Sequence, residues 1–384
     1  MKKVIVLGGY GNFGKRIVRN LAGIGDITLL IAGRNLSKAS ALVAKLQTTS
    51  AACLEPLQVD IFADDFTERL VAISPDLVIH TSGPFQGQDY RVPKACIACG
   101  AHYIDLADDR RFVCDMSGLD SQAREKGVLL VSGASSVPGL SSAVVERYLD
   151  RFSVIHSIDV AIAPGNKAER GLATVTAILS YTGHRVNVFR HGRWQHVYGW
   201  MDSRVNDFGG SVGKRHLANV DVPDLELFPN RYDVRQQVSF QAGLELPVLH
   251  LTMVGMAYLV KIGLIKNWAA LSKAVVGASR LFLRFGSDVG AMQVILKGED
   301  FCASPKQVKW TLFAPKGIGP HIPTLSTIIL ARKLLVDEGD VPHLEAGAKP
   351  CVGLLELRDF SAYFEALDIR MEENVSALNE LEPY

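Results

Sequence analysis

The chain has 384 residues, 48% of them hydrophobic, with 41 basic against 40 acidic side chains and a formal net charge of +1. A chain this long and this apolar builds substantial cores, and two domains are expected. Balanced charge without a basic stripe speaks against a nucleic-acid partner, and six cysteines in so long a chain are no disulfide framework. The opening run MKKVIVLGGYG sets only four apolar residues between its lysines and its glycines. That is too few for the core of a secretory leader, so a cytoplasmic protein whose first strand begins at once is expected.

Val4 to Leu7 is apolar and rich in β-branched residues, and it runs into Gly8-Gly9-Tyr10-Gly11-Asn12-Phe13-Gly14. Gly9, Gly11 and Gly14 have the G-x-G-x-x-G spacing, whose glycines serve a tight turn, close approach of backbone to pyrophosphate, and close packing of helix on strand. Ile17, Val18 and Leu21 give the next segment a helical apolar stripe. The helix N-terminus, with Asn12 and Phe13 in the loop before it, is suited to bind phosphate. A second strand, Ile27 to Ile31, ends in Ala32-Gly33-Arg34-Asn35. An NAD site places an acid here for the ribose hydroxyl. None is present, and Arg34 offers a planar fork for a phosphate, with Asn35, Ser37 and Lys38 as further donors. NADP is therefore preferred over NAD, against the alternative of an ordinary surface arginine.

A third strand ends at Asp60, placed to lie beside an adenine, and a fourth, Asp76 to His80, leads into SGPF. Alternating strands and helices imply parallel pairing, with ligands beyond the carboxyl ends of the strands. Pro84 cannot extend a central ladder and biases Gly83 toward an extended conformation. The strand is expected to stop there, with Ser82 within reach of a nicotinamide ribose and Phe85 as a wall to the ring. An ordinary strand-to-helix turn is the alternative.

Next comes a helix from Tyr90 to Cys99, with Pro93 in its first turn and Gly100 just past its end. Cys96 and Cys99 share a helix face near His102, but no second pair accompanies them, and buried structural thiols are the expectation. His102 to Asp105 reads as a short strand with Tyr103 and Asp105 on one face. Tyr103 is a candidate proton donor and Asp105 a candidate for orienting a substrate amine. The competing reading makes Asp105 the cap of a helix beginning near Asp108. After a strand at Val128 to Val131, Ser132 to Ser136 is a hinge candidate before a helix near Leu140.

Beyond residue 150, VIHSIDVAIA, VRQQVSF, AMQVILKG and VKWTLFA read as strands, and ATVTAILSYTG and TLSTIILARKLL as helices. Asn267 is a candidate cap for a helix running through Leu281. Leu246 to Val260 carries no formal charge with His250 neutral. It is shorter than the about 20 apolar residues of a spanning helix, so a buried or interface helix is expected, with a membrane-surface contact as the minority reading. Arg185, Arg190, His191 and Arg193 surround a hairpin signal, FRHGRW, as a solvated basic edge or a carboxylate site. The acidic end, MEENVSALNELEPY, reads as a solvated helix or tail, and no metal-ligand set is visible.

The run SGPFQGQDYRVPKACIACGAHYIDL, together with GGYGNFG, resembles the saccharopine dehydrogenase-like NADP-binding family over roughly residues 1–145, and more weakly beyond. The resemblance implies an α/β fold. An N-terminal Rossmann parallel sheet at 1–135 is followed by an inserted α+β substrate or dimerisation domain at 136–320, and a segment at 321–384 returns to the first domain. It also implies NAD(P)-linked oxidoreduction of a small molecule, often at a carbon–nitrogen bond of an amino acid conjugate. An enoyl-type reductase acting on a lipid chain and a non-enzymatic NADP sensor are the alternatives. A homodimer, and a membrane contact through 246–285, remain open as partners.

Overall fold

A computed structural model describes residues 1–336 and 344–377. The described residues divide into two compact units, one within 1–140 and 321–355 and the other within 141–320 and 356–384.

The first unit alternates strands and helices. The strands are β1 (Lys2–Leu7), β2 (Ile27–Gly33), β3 (Cys53–Gln58), β4 (Leu77–His80), β5 (His102–Asp105) and β6 (Leu129–Ser132). The helices include α1 (Gly14–Leu21), α2 (Leu36–Leu46), α3 (Phe66–Ile73), α4 (Arg91–Cys99), α5 (Arg110–Cys114) and α6 (Asp120–Glu125). With Gly347–Pro350, the strands form a seven-stranded sheet ordered Gly347–Pro350, β6, β5, β4, β1, β2, β3. Every pair is parallel. Strands with helices on both faces bury both faces, and all four residues of β4 and of β6 are buried. β3 is the exception. It alternates, carries Pro56 and is mostly exposed, as an edge strand tolerates.

Two distant segments complete this unit. The helix Ile322–Leu335 buries ten of its residues, including Ser326 and Thr327. Ser326 Oγ donates to the carbonyl of Ser135 at 2.8 Å and Thr327 Oγ1 to that of Ala134 at 2.7 Å. Lys2 Nζ donates to the carbonyls of Leu334 and Leu335, both at 3.0 Å, placing a cation where the helix dipole favours one. The 132–136 stretch, expected as a hinge, is buried throughout and hydrogen-bonded from two directions.

The second unit carries the remaining strands in a mixed sheet. They are β7 (Val154–Ala163), β8 (Arg185–Arg190), β9 (Arg193–Tyr198), β10 (Arg204–Asp207), β11 (Lys214–Asn219), β12 (Gln237–Ala242), β13 (Gly290–Glu299), β14 (Pro305–Ala314) and Arg370–Ala377. The path runs β10, β11, β12, β7, β13, β14, Arg370–Ala377, with β8 on β12 and β9 on β8. Its helices include α7 (Ser141–Arg147), α8 (Leu172–Tyr181), α9 (Asp224–Arg231), α10 (Pro247–Lys261) and α11 (Ser272–Ser279). FRHGRW forms the β8–β9 hairpin, with His191 and Gly192 both at positive φ. β10, β11 and α9 carry no clear signal in the sequence, since they are short, polar or, in α9, interrupted by Pro229.

The segment after residue 321 is not one piece. Ile322–Leu335 and Gly347–Pro350 serve the first unit, whereas Arg370–Ala377 pairs antiparallel with β14 in the second. The start of the acidic end is thus an edge strand, not a helix or tail. Its charges suit an exposed edge. Residues 378–384 lie outside the described part.

Asp224, at the start of α9, is fully buried and accepts a hydrogen bond from Ser141 Oγ at 2.6 Å. Burial pushes its pKa up to about 7, against the smaller opposing pull of that hydrogen bond. A carboxyl whose pKa rises on folding holds its proton more tightly in the fold than in the unfolded chain. Its stabilising contribution is complete below about pH 4 and is lost as pH climbs through about 7. Asp224→Asn keeps an acceptor and cannot ionise. It should therefore raise the melting temperature at about pH 8, by the equivalent of roughly 1–3 kcal/mol, and leave it nearly unchanged at about pH 4. Circular dichroism melts across this range test it; a shift of equal size at both ends would remove Asp224 as the titrating group.

Candidate functional site

From the centre of the first sheet the chain proceeds outward in opposite directions, β1 to β2 to β3 on one side and β4 to β5 to β6 on the other. The reversal leaves a crevice at the carboxyl ends of β1 and β4, the position where such sheets bind dinucleotides. Gly8 turns the chain there with φ +75°, and both Gly8 N–H (2.9 Å) and Gly9 N–H (3.1 Å) donate to the carbonyl of Ala32. A Cβ on Gly8 would stand 2.8 Å from Thr81 Oγ1 and 2.9 Å from Ser82 Oγ, so the loops after β1 and β4 touch. A Cβ on Gly14 would stand 2.2 Å from the Gly8 carbonyl oxygen and 2.8 Å from Gly9 Cα, and neither can move aside.

The turn-making glycine is therefore Gly8, one residue before the spaced motif. Gly9 backs onto the Val6 carbonyl, with 2.9 Å to a Cβ, and a Cβ on Gly11 would meet only the Gly8 oxygen. No side chain caps α1, which leaves its first turn suited to a phosphate. Arg16 Nη1 donates to Asn12 Oδ1 at 2.6 Å, fixing Asn12 to α1 from its own loop. Phe13, half-buried, is the residue before α1.

At the end of β2, Arg34 is exposed. Asn35 caps α2, its Oδ1 accepting from Lys38 N–H at 3.0 Å. Its own N–H donates to Tyr10 Oη at 2.9 Å. The Tyr10 ring lies where a Cβ on Gly33 would be, 2.6 Å from Tyr10 Oη. Tyr10 thus ties the glycine loop to the segment that presents Arg34 and Lys38. The sequence hides this, because Tyr10 occupies a free position of the motif. At the next strand, Asp60 Oδ1 accepts from Phe62 N–H at 3.1 Å and shapes the turn after β3.

After β4 the chain enters Ser82-Gly83-Pro84-Phe85, with a cis peptide between Gly83 and Pro84. Gln88 Nε2 clasps the turn, donating to the carbonyls of Ser82 (2.9 Å) and Pro84 (2.6 Å). Phe85 is 5% exposed, and its ring centroid lies 5.0 Å from that of His80 and 5.2 Å from that of Phe112. It packs the underside of the turn. Ser82 and Gly83 are half-buried and Pro84 is exposed at its rim.

Tyr103 and Asp105 have no exposed surface. Tyr103 Oη lies 3.1 Å from Nδ1 of His80, which burial holds neutral with a pKa lowered to about 3. Asp105 Oδ1 accepts from Ala107 N–H (2.8 Å), Gly133 N–H (2.8 Å) and Ser132 Oγ (3.0 Å). Burial raises its pKa to about 6, against the downward pull of these donors. Asp105 does not cap α5. That cap is Asp109, which accepts from Phe112 N–H at 2.8 Å. The direct substrate contact expected of Tyr103 and Asp105 does not match their burial. Tyr103 meets His80 at the end of β4, and Asp105 joins the end of β5 to the end of β6, so both act from inside and not at the rim.

Cys96 is buried, its thiol pKa pushed well up by burial, and Cys99 Sγ donates to the Cys96 carbonyl. His102 Nδ1 accepts from Leu129 N–H at 3.0 Å. These contacts are structural. Among the described residues no group of three or more His, Cys, Asp or Glu is placed to hold a metal ion.

The glycine cradle, the uncapped α1 and the unaccompanied Arg34 fit a phosphorylated dinucleotide, and residues 4–131 match the family model described as the saccharopine dehydrogenase NADP binding domain. The first unit is similar to that NADP-binding domain over residues 4–131. Its cofactor is NADP, and the chain has a dehydrogenase-like oxidoreductase fold. No curated protein matches the chain in sequence. Among solved structures, apo saccharopine dehydrogenase (L-Glu forming) from Saccharomyces cerevisiae is similar along the whole length. The identity is 13%, the match covers 98% of this chain and 100% of that one, and the TM-score is 0.70. The two proteins share a fold from end to end. GenD2 from gentamicin A biosynthesis, in complex with NAD, matches at 12% identity over 97% of this chain and 96% of that one, with a TM-score of 0.43. A probable dehydrogenase from Thermotoga maritima matches at 10% identity over 78% and 73%, with a TM-score of 0.41. Both of these share too little shape to inform this site.

Two outcomes are expected of the NADP site. Arg34→Ala should weaken NADPH by about 1.5–3 kcal/mol, the value of a charge-assisted contact, and leave NADH within about two-fold. Calorimetry that shows equal losses for both would take the phosphate away from Arg34. Gly14→Ala should abolish NADPH binding or prevent folding of the first unit, because the new methyl meets backbone. A folded Gly14→Ala protein with parental affinity would mean that the loop adapts freely.

Proposed function

We propose that the protein is a cytoplasmic, NADP-dependent oxidoreductase acting on a carbon–nitrogen bond of an amino acid conjugate, or on a closely related carbonyl. The observation that carries the reading is the exposed Arg34 at the end of β2, with no acid beside it, in a crevice lined by the Gly8–Gly14 backbone. The end-to-end fold shared with a saccharopine dehydrogenase supports the carbon–nitrogen class. None of the six cysteines is in a disulfide, as a reducing compartment would keep them.

A bound dinucleotide would supply hydride chemistry at the substrate carbon. The chain's own part is to hold and exclude. Gly9, Gly11, Asn12, Phe13 and Gly14 would hold the pyrophosphate and Arg34 and Lys38 the additional phosphate, with Asn35 fixing the start of α2 through its cap. Asp60 borders the adenine side. Ser82, Gly83 and Pro84 form the rim where the reacting ring would lie, with Phe85 as their support. Tyr103 and Asp105 act as positioning residues through the floor of that rim. A second reading, reduction of an enoyl group on a lipid chain, is favoured by the apolar exposed residues of 246–285.

Turnover of NADPH with keto acid and amine pairs is the expected result, with enoyl thioesters as the competing substrates. Turnover confined to the thioesters would overturn the carbon–nitrogen assignment, and NADPH binding without turnover would leave a sensor. On the active substrate, Asp105→Asn retains an acceptor for the Gly133 and Ala107 amides. It should lower kcat by less than about ten-fold and leave KM for NADPH unchanged. A loss of about a hundred-fold in kcat with an unchanged melting temperature would put Asp105 in contact with the substrate.

A further inference from the structure

Residues 246–286 form an excursion from the second unit that is closed at its neck. Glu245 accepts from the backbone N–H of Ser287 at 2.8 Å and from Ser287 Oγ at 2.8 Å, joining the residues that flank the excursion. The same carboxylate accepts from Asn166 N–H at 2.7 Å and Arg215 Nη2 at 3.1 Å. The neck is thus anchored to the sheet, while the excursion itself projects apolar surface.

α10 shows the pattern most directly. His250, Met253, Ala257 and Val260 are its buried stripe, and Met253 and Ala257 pack with Leu179, Trp200 and Ala218. Val248, Leu251, Gly255, Tyr258 and Ile262 repeat at the same three- and four-residue spacing and are all exposed. A helix apolar on two faces needs cover on both, and here the protein covers one. The loop and the helix that follow continue the theme, with Leu264 71% and Leu281 73% exposed. Nine of the twenty exposed large hydrophobic residues among those described fall within this excursion. That is far more than scattered surface residues would give.

Charge identifies what covers it. Within 246–286 stand Lys261, Lys266, Lys273, Arg280 and Arg284 and not one acidic residue, in a chain whose net charge is +1. Two copies meeting through this face about a two-fold axis would bring like charges together. Apolar side chains interspersed with cations suit a surface that is apolar beneath and anionic at its rim, which is an anionic phospholipid leaflet. No helix among the described residues is long and apolar enough to cross a membrane, so the contact is with the surface. We infer that residues 246–286 dock the protein on anionic phospholipid bilayers, the exposed face of α10 and Leu264 and Leu281 entering the interface and the five cations lying at the headgroups.

The test is flotation of the full chain with vesicles of phosphatidylcholine alone and with vesicles rich in phosphatidylglycerol. Binding is expected to the anionic vesicles only, and to weaken as salt is raised. The pair Lys266→Glu and Arg284→Glu should lower it by about ten-fold or more, and the pair Leu264→Asp and Leu281→Asp should abolish it. Both pairs are exposed, and unchanged melting and unchanged NADPH affinity would show that the protein remains folded. Three results would overturn the inference: absence of binding to anionic vesicles, equal binding to neutral ones, or binding unchanged in both variant pairs. A dimer in light scattering that the aspartate pair dissociates, without vesicle capture, would assign the face to a second copy instead.

Discussion

The approach of Gly14 to Gly8 and Gly9 is the constraint on which the site depends. A hypothetical methyl at Gly14 lands 2.2 Å from a carbonyl oxygen, so α1 starts where it does only because no side chain is there. From that contact follow the position of the α1 N-terminus, the turn at Gly8, and the seating of Thr81 and Ser82 against it. Tyr10 extends the same order sideways to Asn35, so the element that presents Arg34 is registered to the loop that would hold the pyrophosphate. The position of the segment that presents Arg34 is in this sense built on a backbone contact.

The parallel order of the first sheet was legible because β1, β4 and β6 are short apolar runs separated by helix-length segments. Gly100 and Pro93 marked the limits of α4 correctly for local reasons, a left-handed residue at the end and a missing N–H at the start. Site residues were readable where local chain geometry determines their role, as at Gly14. They were misread where the decisive partner is distant. Asp105 read as a substrate-orienting acid or a helix cap because its donors come from 107, 132 and 133, and spacing alone does not show that β6 lies beside β5. Tyr103, His80 and Tyr10 share this character. Each has a polar atom paired with a residue more than twenty positions away. The division of the C-terminal segment was illegible for the same reason, since Arg370–Ala377 is a strand by virtue of β14.

Two buried carboxylates show how differently the same residue type is handled. Asp105 collects three donors on one oxygen and its pKa rises only to about 6. Asp224 has a single hydroxyl donor from Ser141, and burial carries it to about 7. In both, burial is the largest effect and raises the pKa, while the hydrogen bonds each carboxylate accepts pull it back down.

The first sheet has a temporal consequence. Its edge strand Gly347–Pro350 and its helix Ile322–Leu335 are made only after the 180 residues of 141–320 that belong to the other unit. During synthesis, β6 leaves the ribosome with one edge unpaired, and the carbonyls of Ala134 and Ser135 wait for hydroxyls about 190 residues downstream. At about 5–20 residues per second, that interval lasts roughly 10–40 seconds. For that time a nascent chain presents an open, apolar sheet edge, the feature that folded proteins take most care to cover. A chain cut short before residue 322 would keep that edge permanently, with a complete glycine cradle and an unfinished sheet.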